Sequence, residues 1–183
     1  MLKFVYLIGF FAVPFVTSSS NETPNYDIQF ISLETMEGSE TYFEYNYTLD
    51  KQSELTFKMS GNIRQLVQLG DDYGVTLTLS RSDLADDPPV YEEMMNINKP
   101  VCDYMKTIYR MYFYDGLKDV SNFPHYETCP LVPAEYWFKD YIFEGEDFAV
   151  FLREGRFKLE CYLTKEGESL AGCISTSTVT KVD

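Results

Sequence analysis

The side chains that carry out enzyme chemistry are few in this chain, and histidine is the scarcest of them. His125 is its single histidine and lies between Pro124 and Tyr126. Ser-His-Asp catalysis needs a histidine that a carboxylate orients and that takes a proton from a nearby nucleophile. The residues around His125 supply little of such a set, so the sequence predicts a surface-loop histidine and ranks a hydrolase last among the candidate functions.

Adjacent carboxylates are the next candidates, because paired acidic groups bind calcium or act as acid and base. They occur at Asp71-Asp72, Asp86-Asp87 and Glu92-Glu93. None follows the spaced ligand pattern of a calcium loop. Two pairs stand in turn-forming segments and one beside a strand, which favours solvated surface charge. No Cys-x-x-Cys spacing accompanies the single histidine either, so the sequence predicts neither a metal nor another cofactor.

The four cysteines are Cys102, Cys129, Cys161 and Cys173, all in the second half of the chain. An even number of cysteines behind an export signal indicates an oxidising compartment and disulfide bonds. Four cysteines allow three pairings. Cys161 and Cys173 are equally far from Gly167, so a hairpin centred there sets them opposite each other.

Opposed residues in a non-hydrogen-bonded antiparallel pair have Cα atoms ~4.5 Å apart, which is within reach of a disulfide. The hairpin therefore predicts a 161–173 bond and leaves Cys102 with Cys129.

An export signal is predicted at the start of the chain. Lys3 precedes an apolar run, residues 4–16, and small polar residues come after it, with cleavage expected near Ser18–Ser20. The run is shorter than the ~20 residues that cross a bilayer. No later stretch is apolar enough to span a membrane. The expected organisation is a signal peptide at 1–18 and a single secreted β domain at 19–183.

The charge balance bears on partners, because the chain carries 29 acidic and 15 basic residues, a net charge of −14. An acidic surface repels phosphate backbones, so nucleic acid is not an expected partner. Asn21-Glu22-Thr23 and Asn46-Tyr47-Thr48 are acceptor triplets for N-glycosylation, which an exported chain can use. Asn21 and Asn46 are therefore predicted glycosylation sites.

Period-two alternation predicts most of the strands. It marks residues 40–49, with Asn46 on the outward face, and residues 54–60. Segments 63–69 and 75–81 flank a Gly/Asp turn and are predicted to pair as a hairpin.

After a strand-like stretch at 90–97, the spacing of Val101, Met105, Ile108 and Tyr112 predicts a helix over 100–115. Asn98 is its expected cap, Pro100 its first-turn residue and Gly116 its stop. Further strands are expected at 136–143, 156–164 and 170–180. The predicted fold is mainly β, an antiparallel cup or sandwich with one helix.

The apolar inward faces are the candidate ligand site. Their residues are Phe43, Tyr45, Tyr47, Leu55, Phe57, Met59, Val75, Leu77, Phe157 and Leu159. Native interiors pack without large voids, which favours a closed core for any one of them. Ligand pockets are also mostly apolar with a few polar groups, and tyrosine hydroxyls would supply those. Composition leaves core and cavity both open.

Four segments carry a family resemblance. They are Val101-Cys102-Asp103-Tyr104, Val120-Ser121-Asn122-Phe123-Pro124, Thr128-Cys129-Pro130 and Glu154-Gly155-Arg156-Phe157-Lys158. In this order they resemble the CheB-type chemosensory proteins of insects and related small secreted proteins. That family is similar to the ganglioside-activator branch of the ML lipid-recognition superfamily.

The resemblance implies an immunoglobulin-like β-cup or sandwich that holds a lipid-like ligand between its sheets. The function it implies is non-enzymatic binding of a hydrophobic small molecule or lipid, in pheromone or taste detection or in extracellular lipid handling. The alternative is an extracellular interaction module with a fully packed core and a receptor protein as its partner.

Overall fold

A computed structural model describes residues 25–144 and 153–182, which form two antiparallel sheets, one 17-residue helix and a short 3-10 helix at Ser39–Thr41. The predicted mainly β fold, a sandwich or cup with one helix, is confirmed. The strands are β1 (Asn25–Thr35), β2 (Phe43–Lys51), β3 (Thr56–Gln65), β4 (Gly74–Ser82), β5 (Glu92–Pro100), β6 (Ala134–Glu144), β7 (Gly155–Lys165) and β8 (Glu168–Val182). The predicted signal peptide and Asn21 lie outside the described residues.

The five-stranded sheet has the order β1-β8-β7-β4-β5, and the three-stranded sheet has the order β2-β3-β6. Strands alternate between exposed and buried side chains because successive side chains point to opposite faces. In β2, Tyr47 is buried between the exposed Asn46 and Thr48, so Asn46 faces outward as predicted. One buried cluster joins the inner faces of both sheets and the helix.

The helix α1 spans 17 residues, 101–117, directly after β5. It begins in the α conformation (Val101–Tyr104), continues as a π-helix (Met105–Tyr114) and ends in α (Asp115–Leu117). Among the described residues, no helix has the length and apolarity required to cross a bilayer.

The ends of α1 differ from the predicted ones. Asn98 belongs to β5, opposite Thr76, and Pro100 is the capping residue with extended backbone. Gly116 lies inside the last turn of α1, where an added Cβ would come within 2.9 Å of the Tyr141 ring. Glycine is therefore needed there for close helix-to-sheet packing.

The predicted hairpin of 63–69 with 75–81 is wrong. Residues up to Gln65 continue β3, which pairs with β2 and β6, whereas β4 pairs with β5 and β7. The Gly70–Gly74 turn carries the chain from one sheet to the other. Periodicity shows which face of a strand is buried, but it carries no information about the neighbouring strand.

Strand β1 was not predicted from the sequence. Its register against β8 shifts between Phe30 and Ser32, which leaves the apolar Ile31 exposed. A β-bulge adds a residue to one strand and reverses the facing of the residues beyond it. The alternation in β1 is therefore interrupted, and no continuous period-two pattern remains.

Cys161 and Cys173 lie opposite each other in β7 and β8, as predicted. The turn residues Glu166 and Gly167 both have positive φ, and a turn of this length alone would set Cys161 against Gly172. A register shift next to Leu163 moves the pairing by one residue.

The predicted 161–173 disulfide is nevertheless wrong, since both residues are buried free thiols. Opposed Cβ atoms in a regular sheet are ~4.5–5.5 Å apart, wider than the ~3.8 Å typical of a disulfide. Facing positions in a sheet do not by themselves bring two sulfur atoms to bonding distance.

Thiol titration checks this assignment. Burial raises the pKa of the Cys161 thiol to about 12, so the reactive thiolate is nearly absent at neutral pH. We expect no reaction with a thiol reagent in the folded protein and two reactive thiols after unfolding without reductant. Unfolded protein without a reactive thiol would show that Cys161 and Cys173 are bonded after all.

Candidate functional site

An apolar cavity of about 150 Å³ lies between the two sheets and α1, and it is partly open to solvent. The residues that line it come from both sheets, the helix and two connecting segments. They are Ser39, Phe43, Tyr45, Ile63, Gln65, Leu69, Val75, Val101, Tyr104, Met105, Tyr109, Phe123, Pro124, Leu131, Tyr136, Cys161, Tyr162, Leu163, Ala171 and Gly172. The lining is neutral throughout.

The helix contributes Val101, Tyr104, Met105 and Tyr109 to the cavity wall. Its π-helical middle decides which residues face inward, because i→i+5 bonding takes more residues per turn than an α-helix does. Tyr109 is therefore buried, while Tyr112, which α-helical spacing places inward, is only half-buried.

The Ser-Asn-Phe-Pro segment closes one side of the cavity. The Phe123 ring stacks on Tyr136 of β6, with centroids 5.3 Å apart and planes 17° from parallel. The Tyr109 hydroxyl donates a hydrogen bond of 3.0 Å to the Pro124 carbonyl. Loop, helix and three-stranded sheet are thereby joined at the cavity.

Polar groups of the same segment hold it in place. The Asn122 side chain bonds to the backbone of β6. Its amide nitrogen donates to the Glu135 carbonyl (3.0 Å), and its amide oxygen accepts from the Trp137 N–H (2.5 Å). Ser121 Oγ donates to the Leu117 carbonyl at the end of α1, at 2.7 Å. In the Ser-Asn-Phe-Pro motif, which carried the family resemblance, Phe123 and Pro124 thus line the cavity, while Ser121 and Asn122 bond the segment to α1 and β6.

The start of α1 is fixed by the Cys102–Cys129 disulfide, which is confirmed and has a Cα–Cα distance of 5.6 Å. The Cys102 N–H also donates to Asp71 Oδ1 at 3.2 Å, so the turn between β3 and β4 caps the helix. Leu131, two residues after Cys129, pairs with Leu69 through two backbone bonds of 2.8 and 2.9 Å. These contacts hold the loop against the helix start.

The tyrosines of the wall are neutral hydroxyl groups at physiological pH. Burial raises the pKa of Tyr104 well above its ordinary value. Burial also raises the pKa of Tyr109, to which Tyr114 and Tyr136 add. A charge in this cavity would lack a partner of opposite sign among the lining residues, and an unpaired buried charge is costly.

Of the ten predicted cavity residues, Phe43, Tyr45 and Val75 line the cavity. Four others are buried in the same core cluster without lining it: Tyr47, Phe57, Met59 and Leu77. Phe157 and Leu159 belong to a separate buried cluster with Leu79 and Val179. Leu55 precedes β3 and is half-buried.

Sequence reasoning missed the lining residues of α1 and of the loop after it. Met105 was already on the apolar face predicted for the helix, and Phe123 and Pro124 were in the recognised motif. Those were the available signals. The candidate set was restricted to strands, and a pattern of alternation cannot show that a loop folds back over a helix.

The histidine and two of the acidic residues first considered for catalysis or metal binding contact neighbouring protein groups. His125 is exposed, accepts from the Glu127 N–H and lies with its ring 4.0 Å from that of Tyr126. Asp72 forms an ion pair with Lys165, and Asp86 accepts from Ser82 Oγ. In the described part of the chain, no three histidine, cysteine or acidic residues form a group that could hold a metal ion.

The helix, its disulfide and the closing loop coincide with the part of the chain that has recognisable relatives. Residues 75–159 match the family described as Protein of unknown function (DUF1091). The match covers slightly less than half of the chain and runs from β4 through α1 into β7. No curated protein matches the chain. The matched segment contains Cys102, Cys129 and the Ser-Asn-Phe-Pro motif.

Proposed function

We propose that this protein binds a small hydrophobic molecule non-covalently in the cavity and acts outside the cell. The observation that carries the proposal is the apolar cavity of about 150 Å³ between the two sheets and α1. Native interiors pack side chains closely, with few voids larger than a water molecule. A fully packed interaction module would not retain such a void.

The cavity volume narrows the ligand class. An engineered apolar cavity of roughly 150 Å³ binds benzene or xenon, whereas sites for drug-sized ligands measure roughly 300–1,000 Å³. The expected occupant is therefore a ring or a short chain, either as a whole ligand or as the apolar end of a larger lipid. Its binding would be driven by burial of apolar surface.

The sequence resemblance supports the same proposal. The CheB-type chemosensory proteins and the ganglioside-activator branch of the ML superfamily are proposed relatives, and both suggest a carrier for hydrophobic molecules. The predicted signal peptide, the Cys102–Cys129 bond and the outward-facing Asn46 triplet support secretion and glycosylation. The proposed role is chemosensory binding or extracellular lipid handling, without catalysis.

Toluene binding tests the proposal, because toluene is neutral, apolar and close to benzene in size. A ligand at ten times its dissociation constant stabilises the folded protein by about 1.4 kcal/mol. We expect a saturable rise in the unfolding temperature with toluene. Ala171 lines the cavity and is 2% exposed, so Ala171→Leu fills space there and should weaken binding at least tenfold.

Ala85→Leu is the matched control, since it adds the same atoms in an exposed loop between β4 and β5. It should leave toluene binding unchanged. Absence of saturable binding by the unsubstituted protein, or equal binding by Ala171→Leu, would support the packed interaction module instead.

A further inference from the structure

Gln65 is a buried polar residue in the wall of an otherwise apolar cavity. It is the last residue of β3, opposite Ala134 of β6, and is 3% exposed. It lines the cavity together with Ile63, two residues earlier on the same face of the strand. A buried primary amide needs hydrogen-bond partners at both ends.

The nitrogen end of the Gln65 amide is fully used. Nε2 donates to the carbonyls of Val67 (2.8 Å), Leu131 (2.9 Å) and Val132 (3.3 Å). Carbonyl oxygens only accept hydrogen bonds, so these three neighbours fix which end of the amide is nitrogen. The same contacts fix the orientation of Oε1, whose two lone pairs remain for another partner.

The oxygen end has no donor among the described residues, 25–144 and 153–182. Oε1 is also not sealed in the packed interior, since every fully buried side-chain nitrogen or oxygen in those ranges has a hydrogen-bond partner. Two other polar groups of the wall are engaged within the protein. Ser39 Oγ accepts from the Gly172 N–H and donates to its carbonyl, and the Tyr109 hydroxyl donates to Pro124.

We propose that Gln65 Oε1 accepts a hydrogen bond from the ligand, and that the ligand is therefore a neutral, benzene-sized molecule with one O–H or N–H donor. This inference rests on the proposed function and adds polarity and orientation to it. A phenol, a small alcohol or an amide meets the requirement. A cationic donor does not, because the lining holds no opposite charge to compensate it.

Phenol and toluene form the deciding pair, since they differ only by O–H in place of CH₃. Their dissociation constants are measured with the full-length protein, with Gln65→Met and with Ile63→Val as the control. The preference is the dissociation constant for toluene divided by that for phenol. We expect this ratio to fall about tenfold in Gln65→Met, because one hydrogen bond changes affinity by about that factor. Ile63→Val should weaken both ligands alike and leave the ratio unchanged.

A second measurement needs no variant and decides the matter if Gln65→Met does not fold. The ¹³Cδ resonance of the Gln65 side chain should shift on saturation with phenol and stay in place with toluene. Toluene binding with an unchanged preference ratio and a static ¹³Cδ resonance would overturn the role of Gln65 and leave the proposed function intact. Binding of neither molecule would overturn the proposed function itself.

Discussion

Replacing Cys102 and Cys129 together by serine is expected to lower the free energy of unfolding by about 3.5 kcal/mol. The two cysteines are 27 residues apart, and a cross-link over such a loop restricts the unfolded chain by about that amount. The loop contains α1 from its second residue onward and the Ser-Asn-Phe-Pro segment. The disulfide therefore restrains the helix start and the segment that closes the cavity at once.

Urea unfolding in the presence and absence of a reductant measures this effect. The unsubstituted protein should lose the same free energy in reductant as it does in the double serine variant. The double variant itself should not respond to reductant, because Cys161 and Cys173 are already thiols. Equal stability of both proteins in oxidising buffer would contradict the prediction.

Phe138→Ala is expected to destabilise the protein by about 3 to 5 kcal/mol, the usual cost of deleting a large buried aromatic side chain. Phe138 lies in β6 opposite Gly61 and is 2% exposed. Its ring centroid is 6.3 Å from that of Phe123, which lines the cavity. The substitution loses the free energy of burying the Phe138 ring. It also removes a packing partner of the loop that closes the cavity.

Trp137→Ala is the matched control, since the neighbouring residue points to the opposite face and is 45% exposed. Surface substitutions usually change stability by less than about 0.5 kcal/mol, so the control should cost far less than Phe138→Ala. Circular dichroism is the suitable probe because the control removes the only tryptophan. Similar losses in both variants would show that β6 does not bury the Phe138 face.

The strands with uninterrupted alternation could be predicted well. Tyr47, Met59 and Leu77 were assigned to inward faces, and each is buried. Side chains alternate with period two in any strand, whatever its neighbours, so one buried face imposes a readable pattern. The helix was also found, because seven of its residues must be buried. They are Val101, Tyr104, Met105, Ile108, Tyr109, Phe113 and Leu117.

Contacts between segments far apart in the chain could not be predicted from periodicity. Gln65 was assigned to a hairpin with β4, yet it ends β3 and donates to carbonyls more than sixty residues away. The winding of α1 also depends on the residues it packs against, and it decides that Tyr109 faces the cavity. Only three of the ten predicted residues line the cavity, because alternation along a strand does not show which part of a buried face borders an empty space.

By itself, the sequence determined the β-rich class, the position of the helix and the outward face of Asn46. Each of these arises from local periodicity. The opposition of Cys161 to Cys173 was also predicted, but it depends on a register shift beside Leu163 that the turn alone does not produce. Only the tertiary structure decided which strands are neighbours, which cysteines are bonded, and that a loop, a π-helix and two sheets leave an apolar space beside Gln65. Cavities and bonds of this kind depend on distances between segments far apart in the chain, and one-dimensional patterns do not contain those distances.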